Sequence, residues 1–510
     1  MNVDLLITQF DRIAEAPDAV PRLRRFILDL AVRGRLVKSN YKNVDLRLEG
    51  CDIEWVSTVP ENWQVNRLGS LITLEYGKAI SKEERQGGAV PVYGSNGIIG
   101  YSESFLTNKP AIIIGRKGSA GSLNIADGPS WTSDVAYYVI PPPNYDIRFL
   151  YLMLSVLDLP NLAKGVKPGL NRNDVYDLVG VLPPLAEQRR IVAKVNELMT
   201  VCEELEVQQR EREVQRDRVV MAISHKLVHE SPADQSLART VQFYLRNFAD
   251  LTVRREHVQQ WRRTILDLAV RGRLVSQSPD DEPIEDTLVT ETDGNFETIE
   301  IPFKIPSSWK WIRFGSLHTL VRGVSYSAAD VSKEPMDGYI PVLRANNIGE
   351  RTNYEDLVFV KTERIKPQQL LLRGDYLIAL SSGSKNLVGK ASYIDRDILA
   401  SFGAFCGVIR VRNQTFHPYV GVFLSSPFYR ETLAKASRGI GINNLTTSVL
   451  RELPFPLPPL AEQRRIVAKV NELMTVCDEL EQQLSMQEQN AERFMEAVLH
   501  GLLTSVVQRI

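Results

Sequence analysis

The sequence predicts an α+β protein: two globular α/β inserts joined by two long antiparallel coiled-coil helices in a pseudo-twofold internal repeat. Three observations predict it. LPPLAEQRRIVAKVNELMTVC occurs at Leu182–Cys202 and again, unchanged, at Leu457–Cys477. RRFILDLAVRGRLV at Arg24–Val37 returns as RRTILDLAVRGRLV at Arg262–Val275, with only Phe26 exchanged for Thr264. Between these near-identical segments lie unlike stretches, each long enough to be a domain on its own.

Taken in order, residues 1–38 form an N-terminal helical repeat segment, in which ILDLAVRGRLV reads as a short amphipathic helix stopping near Gly34. Residues 39–181 are the first insert. AIIIG (111–115) and VAYYVI (135–140) read as strands, and RFLYLMLSV (148–156) as a helix. Residues 182–230 form a long helix. Pro183-Pro184 halts what precedes it, and Ile191, Val195, Leu198, Cys202 and Leu205 repeat at heptad spacing. Residues 231–275 hold the linker around HESPADQSLART and the second short helix, stopping near Gly272. Residues 276–456 are the second insert, with strands at DYLIAL (375–380) and GVIRVR (407–412) and one helix over YVGVFLSSPFYRETL (419–433). Residues 457–510 form the second long helix, whose seam is Ile466, Val470, Leu473, Cys477 and Leu480. Because the two seams are the same, they can pair with each other, and an antiparallel pair gives a pseudo-twofold rod.

Bulk properties exclude several classes. A chain of 510 residues with 44% apolar and 24% charged residues reads as a soluble protein of more than one domain. No apolar run reaches bilayer length, and the N-terminus lacks the basic-then-apolar order of a signal peptide. Cys51, Cys202, Cys406 and Cys477 are scattered without a C-x-x-C pair, which fits a reducing cytoplasm and argues against zinc. The net charge of −1 leaves nucleic-acid contact to local patches.

Those patches are the insert loops. They combine Lys or Arg with Asn, Ser, Tyr and Gly, the residue types that neutralise phosphate, admit it to the backbone and read base edges. In the first insert the candidates are Tyr76, Lys78, Tyr93, Ser95, Asn96, Arg116, Lys117, Ser119, Lys164, Lys167, Asn171 and Arg172. In the second they are Arg322, Tyr326, Arg344, Asn346, Asn347, Ser382, Lys385, Asn386, Arg438, Asn443 and Asn444. Each loop alone also reads as a solvated turn; their recurrence in both inserts makes the case. Enzyme signatures are absent. GRKGSAGS (115–122) is no P-loop, GIGINN (439–444) is too short for a dinucleotide fingerprint, and His225 and His229 lack carboxylate company. No catalytic residue and no metal ligand emerges, and no cofactor is expected on this chain.

The whole pattern resembles the specificity subunits of type I DNA restriction-modification systems. LPPLAEQRRIVAKV following each insert carries the resemblance, with GLNRNDV and GINNLTTSVL leading into the two copies. PVYGSNGIIGY (91–101) and IIIGRKGSAG (112–121) resemble a common domain type of that family, from which PVLRANNIGE and LIALSSGSKNLVG depart. The resemblance implies two target-recognition domains, each reading one half of a bipartite double-stranded DNA site across a helical spacer. It also implies two docked methyltransferase subunits that use S-adenosylmethionine, which motor-nuclease subunits using ATP and Mg can join; the specificity subunit of a modification-only or other phage-defence methyltransferase system has the same sequence pattern. A DNA-modifying enzyme and a coiled-coil protein without DNA specificity are the competing classes. Against the first stand the missing cofactor and metal motifs; against the second, the loop-rich inserts.

Overall fold

The structure, a computed structural model, describes residues 19–38, 41, 43–45, 58–165, 168–229, 243–244, 247–249, 251–283, 301–382, 387–436 and 445–504. It forms two compact units, Met1–Glu213 with Gln487–Ile510, and Val214–Met486. Each unit holds one insert, one short repeat helix, the start of one long helix and the end of the other. That exchange of ends is what antiparallel pairing of the long helices, Leu185–His229 and Leu460–Thr504, produces.

The short helices Ala19–Val32 and Arg255–Val270 end in the same way. Gly34 takes φ +69° and Gly272 φ +68°. The Arg35 amide reaches back to the Leu30 carbonyl (2.9 Å), and Arg273 to Leu268 (3.0 Å), a left-handed cap that only glycine enters without strain. The glycines also leave room for the next segment. A Cβ at Gly34 would stand 2.6 Å from Pro60 Cδ, and one at Gly272 2.5 Å from Pro306 Cγ.

The seams are buried, each in the core of its own unit. Ile191, Val195, Leu198 and Cys202 pack in the first unit with Leu23, Phe26, Ile27 and Leu30 of the short helix and with Met495 from the end of the other long helix. Ile466, Val470, Leu473 and Cys477 pack in the second unit with Ile265 and Leu268 and with Val220 and Leu227. Each seam packs on its own short helix, because that helix offers the nearest apolar stripe, and meets the tail of its partner. Val220 and Met495 occupy equivalent repeat positions, and both are buried. Ion pairs repeat as well: Arg24–Glu206 (2.8 Å) corresponds to Arg262–Glu481 (3.2 Å), and Asp29–Arg33 to Asp267–Arg271. Cys202 and Cys477 are free thiols in separate cores, and burial pushes Cys477 up to about 11.

The duplicated AEQ triplet opens each long helix as a buried anchor. Gln188 donates to the carbonyls of Pro183 and Asn144 (both 2.8 Å), and Gln463 to Pro458 (2.8 Å). Glu462 accepts from Trp309 Nε1 (2.9 Å) and Gln277 Nε2 (2.6 Å), tying the helix start to the insert. Burial raises the Glu462 carboxyl above its ordinary range, although these donors hold it down.

The inserts share the topology of their central sheet. The first has a four-stranded antiparallel sheet ordered Glu75–Tyr76, Ala136–Val139, Ala111–Gly115, Leu123–Ala126. The second repeats it as His318–Arg322, Cys406–Val411, Tyr376–Ala379, Ala391–Tyr393. Each has a second sheet with a parallel edge pair, Val90–Gly94 with Trp131–Thr132 and Tyr339–Leu343 with Ser401–Phe402. The single helix expected over 419–433 is two, His417–Ser425 and Pro427–Ala436. Pro427 forces extended backbone at Ser426, whose hydroxyl then accepts from the Tyr429 amide (3.2 Å).

Candidate nucleic-acid interface

In the first insert the four polar loops gather at one end of the central sheet. Strand Ala111–Gly115 runs into Arg116 and Lys117, whose amides both donate to the Val135 carbonyl (2.8 and 3.1 Å). The Arg116 carbonyl accepts from Leu170, and Gly118 donates to Pro168, so the 164–172 loop is tied to the 115–122 loop. The Ser122 hydroxyl donates to the Ser95 carbonyl, bringing up the turn that carries Ser95 and Asn96. Gly77 donates to Ala136 and Lys78 to Thr132, which adds the 75–78 loop. Gly77 leaves no space for a side chain, since a Cβ there would overlap the Thr132 and Ser133 carbonyls.

Tyr76 stands at the centre, 47% exposed, with its ring edge-on to Tyr137 at 5.0 Å. The Arg116 guanidinium lies 5.2 Å from the Tyr76 centroid, and Arg172 lies 5.1 Å from it. Burial first, then the Tyr76 hydroxyl, pushes the Tyr137 phenol up to about 12, so it stays neutral and donates to the Leu170 carbonyl (3.0 Å). Lys78, Asn96, Lys117 and Ser119 are exposed. Lys164, also exposed, pairs with Asp174 (2.9 Å), and Asn171 caps the short helix Arg172–Tyr176. Tyr93 is not at the surface: its ring is buried and its hydroxyl donates to Ile125, because the residue faces the inner side of its strand. Lys167 lies outside the described residues.

The second insert builds the same backbone frame with other side chains. Leu380 and Ser381 both donate to the Phe405 carbonyl (2.9 and 3.0 Å), and Leu445 donates to Leu380 (2.7 Å). Three of the predicted loops line a cavity of about 600 Å³ there, with Tyr326, Arg344, Asn346 and Ser382 in its wall. Arg344 and Asn346 both donate to Asp356 Oδ2 (3.2 Å each). Arg322 is exposed at the end of its strand. Asn347 is fully buried (0%) and donates to the Asn353 and Glu355 carbonyls, so it folds its loop instead of facing outward. Lys385, Asn386, Arg438, Asn443 and Asn444 lie outside the described residues.

A family described as "Type I restriction modification DNA specificity domain" matches residues 60–216 and 306–487. Most of each insert, and the first half of each long helix behind it, fall in those two stretches. The chain belongs to that family.

Among relatives of known name, the chain is 36% identical over 199 residues to the EcoKI specificity subunit of Escherichia coli K12, covering 39% of this chain and 43% of that one. It is 35% identical over 210 residues to the StySPI specificity subunit of Salmonella potsdam, covering 40% and 45%. The chain thus spans less than half the length of these two relatives. Similarity to the EcoEI specificity subunit of Escherichia coli is lower, 21%, but extends over 95% of this chain and 94% of that one. Solved structures of similar fold include the HsdS subunit from Thermoanaerobacter tengcongensis, at 19% identity and TM-score 0.42, covering 87% of this chain and 97% of that one. A second, described as "Structural basis underlying complex assembly and conformational transition of the type I R-M system", has 18% identity and TM-score 0.49, covering 87% and 98%.

Within this family member, the structure adds residues that the sequence reading passed over. Tyr137 braces Tyr76 but sits in a run read only as a strand. Phe405, 70% exposed at the cavity rim, sits in SFGAFCG, where a lone aromatic looks like core. Its exposure follows from the loop geometry, which sequence spacing does not carry. Among the described residues no group of His, Cys, Asp and Glu is arranged to hold a metal, and no helix is long and apolar enough to cross a membrane.

Proposed function

We propose that the chain is the DNA sequence-specificity subunit of a type I restriction-modification complex and performs no chemistry itself. Each insert is a target-recognition domain for one half of an asymmetric bipartite site in double-stranded DNA. The paired helices set the gap. Two adenine-methyltransferase subunits dock on the duplicated scaffold and supply S-adenosylmethionine chemistry. Motor-nuclease subunits, using ATP and Mg, join through them, and the complex works in the cytoplasm.

One observation carries this reading: a common backbone frame presents different side chains in the two inserts. Arg116 and Lys117 in the first become Leu380 and Ser381 in the second, although their amides make the same bonds. A fold kept constant while its loop chemistry varies is what reading two unlike sequences requires. The near-identical repeats suit two equivalent copies of one partner.

Methylome sequencing of cells expressing the chain with its methyltransferase partner tests the proposal. The expected result is methylated adenine within a motif of two unlike short half-sites around an unread gap. A continuous motif, or methylation independent of this chain, would overturn it.

A further inference from the structure

Tyr76 is flanked by two guanidiniums. Arg116 and Arg172 lie at nearly equal distances from its ring, 5.2 and 5.1 Å, with Tyr137 and Tyr176 behind them at 5.9 and 5.7 Å. Among the described residues neither has a carboxylate partner. Elsewhere in the same insert Arg67 pairs with Asp177 and Arg148 with Asp127. Arg116 Nη1 donates to the Asp134 carbonyl (3.2 Å). Arg172 Nε is buried without a hydrogen-bond partner.

Two like charges held together cost energy in the free protein unless an electron-rich ligand completes the site. Phosphate and the guanine edge both qualify. They differ in what they demand. Phosphate accepts a positive charge from many directions, and a lysine serves it well. Guanine O6 and N7 lie side by side, and the planar fork of a guanidinium in a fixed orientation matches them better than an ammonium does. A place over a tyrosine ring with one nitrogen tied back provides that orientation for Arg116, and Arg172 lies over the same ring.

We infer that Arg116 and Arg172 read guanine in the half-site of the first recognition domain, with Tyr76 as the positioning residue that holds both. The inference rests on the proposed DNA-specificity function and goes beyond it by assigning a base and a physical mode. The second domain lacks this device, since Leu380 occupies the place of Arg116 and Thr447 that of Arg172. Its half-site is read by other means.

The test is methylome sequencing of cells expressing the full chain with its methyltransferase partner, comparing wild type with Arg116→Lys, Arg172→Lys, Tyr76→Phe and Tyr76→Ala. Wild type is expected to show at least one invariant guanine in one half-site. Each lysine variant should lose about 5- to 150-fold of discrimination at a guanine position of that half-site, leaving the other half-site intact. Tyr76→Ala should relax the same positions, and Tyr76→Phe, which keeps the ring, should restore them. An unchanged motif in both lysine variants would overturn the inference, as would a uniform loss of methylation with the motif retained, the signature of a phosphate contact. Total loss of activity in both lysine variants would also count against it, since lysine keeps the charge and much of the stem. A wild type without any bipartite motif would instead overturn the proposed function beneath it.

Discussion

At the residue scale, the anchor at each long-helix start shows how buried polarity was hidden in the sequence. LPPLAEQ announces a helix start by its prolines, and that was legible. The burial of Glu187, Gln188, Glu462 and Gln463 was not, because a Glu-Gln pair in a first turn normally faces solvent. Glu462 gives a pH test. Burial raises its folded carboxyl above the ordinary value, with Trp309, Gln277 and Arg465 opposing. A carboxyl whose folded value exceeds its unfolded value binds its proton more tightly when folded. Its contribution to stability is therefore full below the unfolded value and is lost as pH rises through the folded one. Glu462→Gln keeps an acceptor for Trp309 and removes the titration. Thermal melting between pH 4 and 7 should show wild type falling relative to the variant across that window. Parallel curves would mean that the carboxylate is fully compensated in place. The polar loop residues were legible as a class, but their individual roles were not: Asn346 and Asn347 are neighbours of the same type, one exposed and one buried.

At the element scale, periodicity served the helices well and the sheets only in part. The long helices and their seam followed from heptad spacing, which depends on local sequence alone. The partner of each seam did not, because two identical stripes say nothing about which apolar surface lies nearest. Leu198 and Leu473 turn out to be core residues of different units, each beside its own short helix. Replacing either with Asp buries an unpaired charge and should cost about 3 kcal/mol or more. The positions being equivalent but in separate cores, Leu198→Asp should expose the first unit to limited proteolysis while sparing the second, and Leu473→Asp the reverse. Equal cleavage of both units in each variant would show that the cores do not melt separately. The sheets share strand order despite unlike sequences, and that common topology was only partly readable. Short edge strands such as Glu75–Tyr76 and Ser401–Phe402 carry too few residues for an alternating pattern.

At the scale of the whole molecule, the repeat is the part of the chain to which the proposed spacing of half-sites is assigned. Each long helix passes from one compact unit to the other, leaving the first at Glu213 and the second at Met486. Those points are where added length would separate the proposed recognition domains without disturbing the Arg24–Glu206 and Arg262–Glu481 pairs. Seven residues inserted after Glu213 and seven after Met486 keep the heptad phase. They add roughly 10 Å of helix at 1.5 Å per residue. At about 3.4 Å of rise per base pair, the preferred gap between half-sites should lengthen by about three base pairs. The same three base pairs turn the second half-site by roughly 100° on a duplex of about 10.5 base pairs per turn. Lengthening the helices need not reproduce that rotation, so binding should weaken even at the new optimum while both half-sites keep their sequences. Methylome sequencing of the variant with its partner reads gap and half-sites in one experiment. A variant that methylates with an unchanged gap would show that spacing is fixed by the docked subunits and not by the helices. A variant with altered half-sites would show that base reading depends on helix length. The expected outcome, a longer gap around the same two half-sites, requires that recognition reside in the inserts and spacing in the repeats, which is the division of labour proposed above.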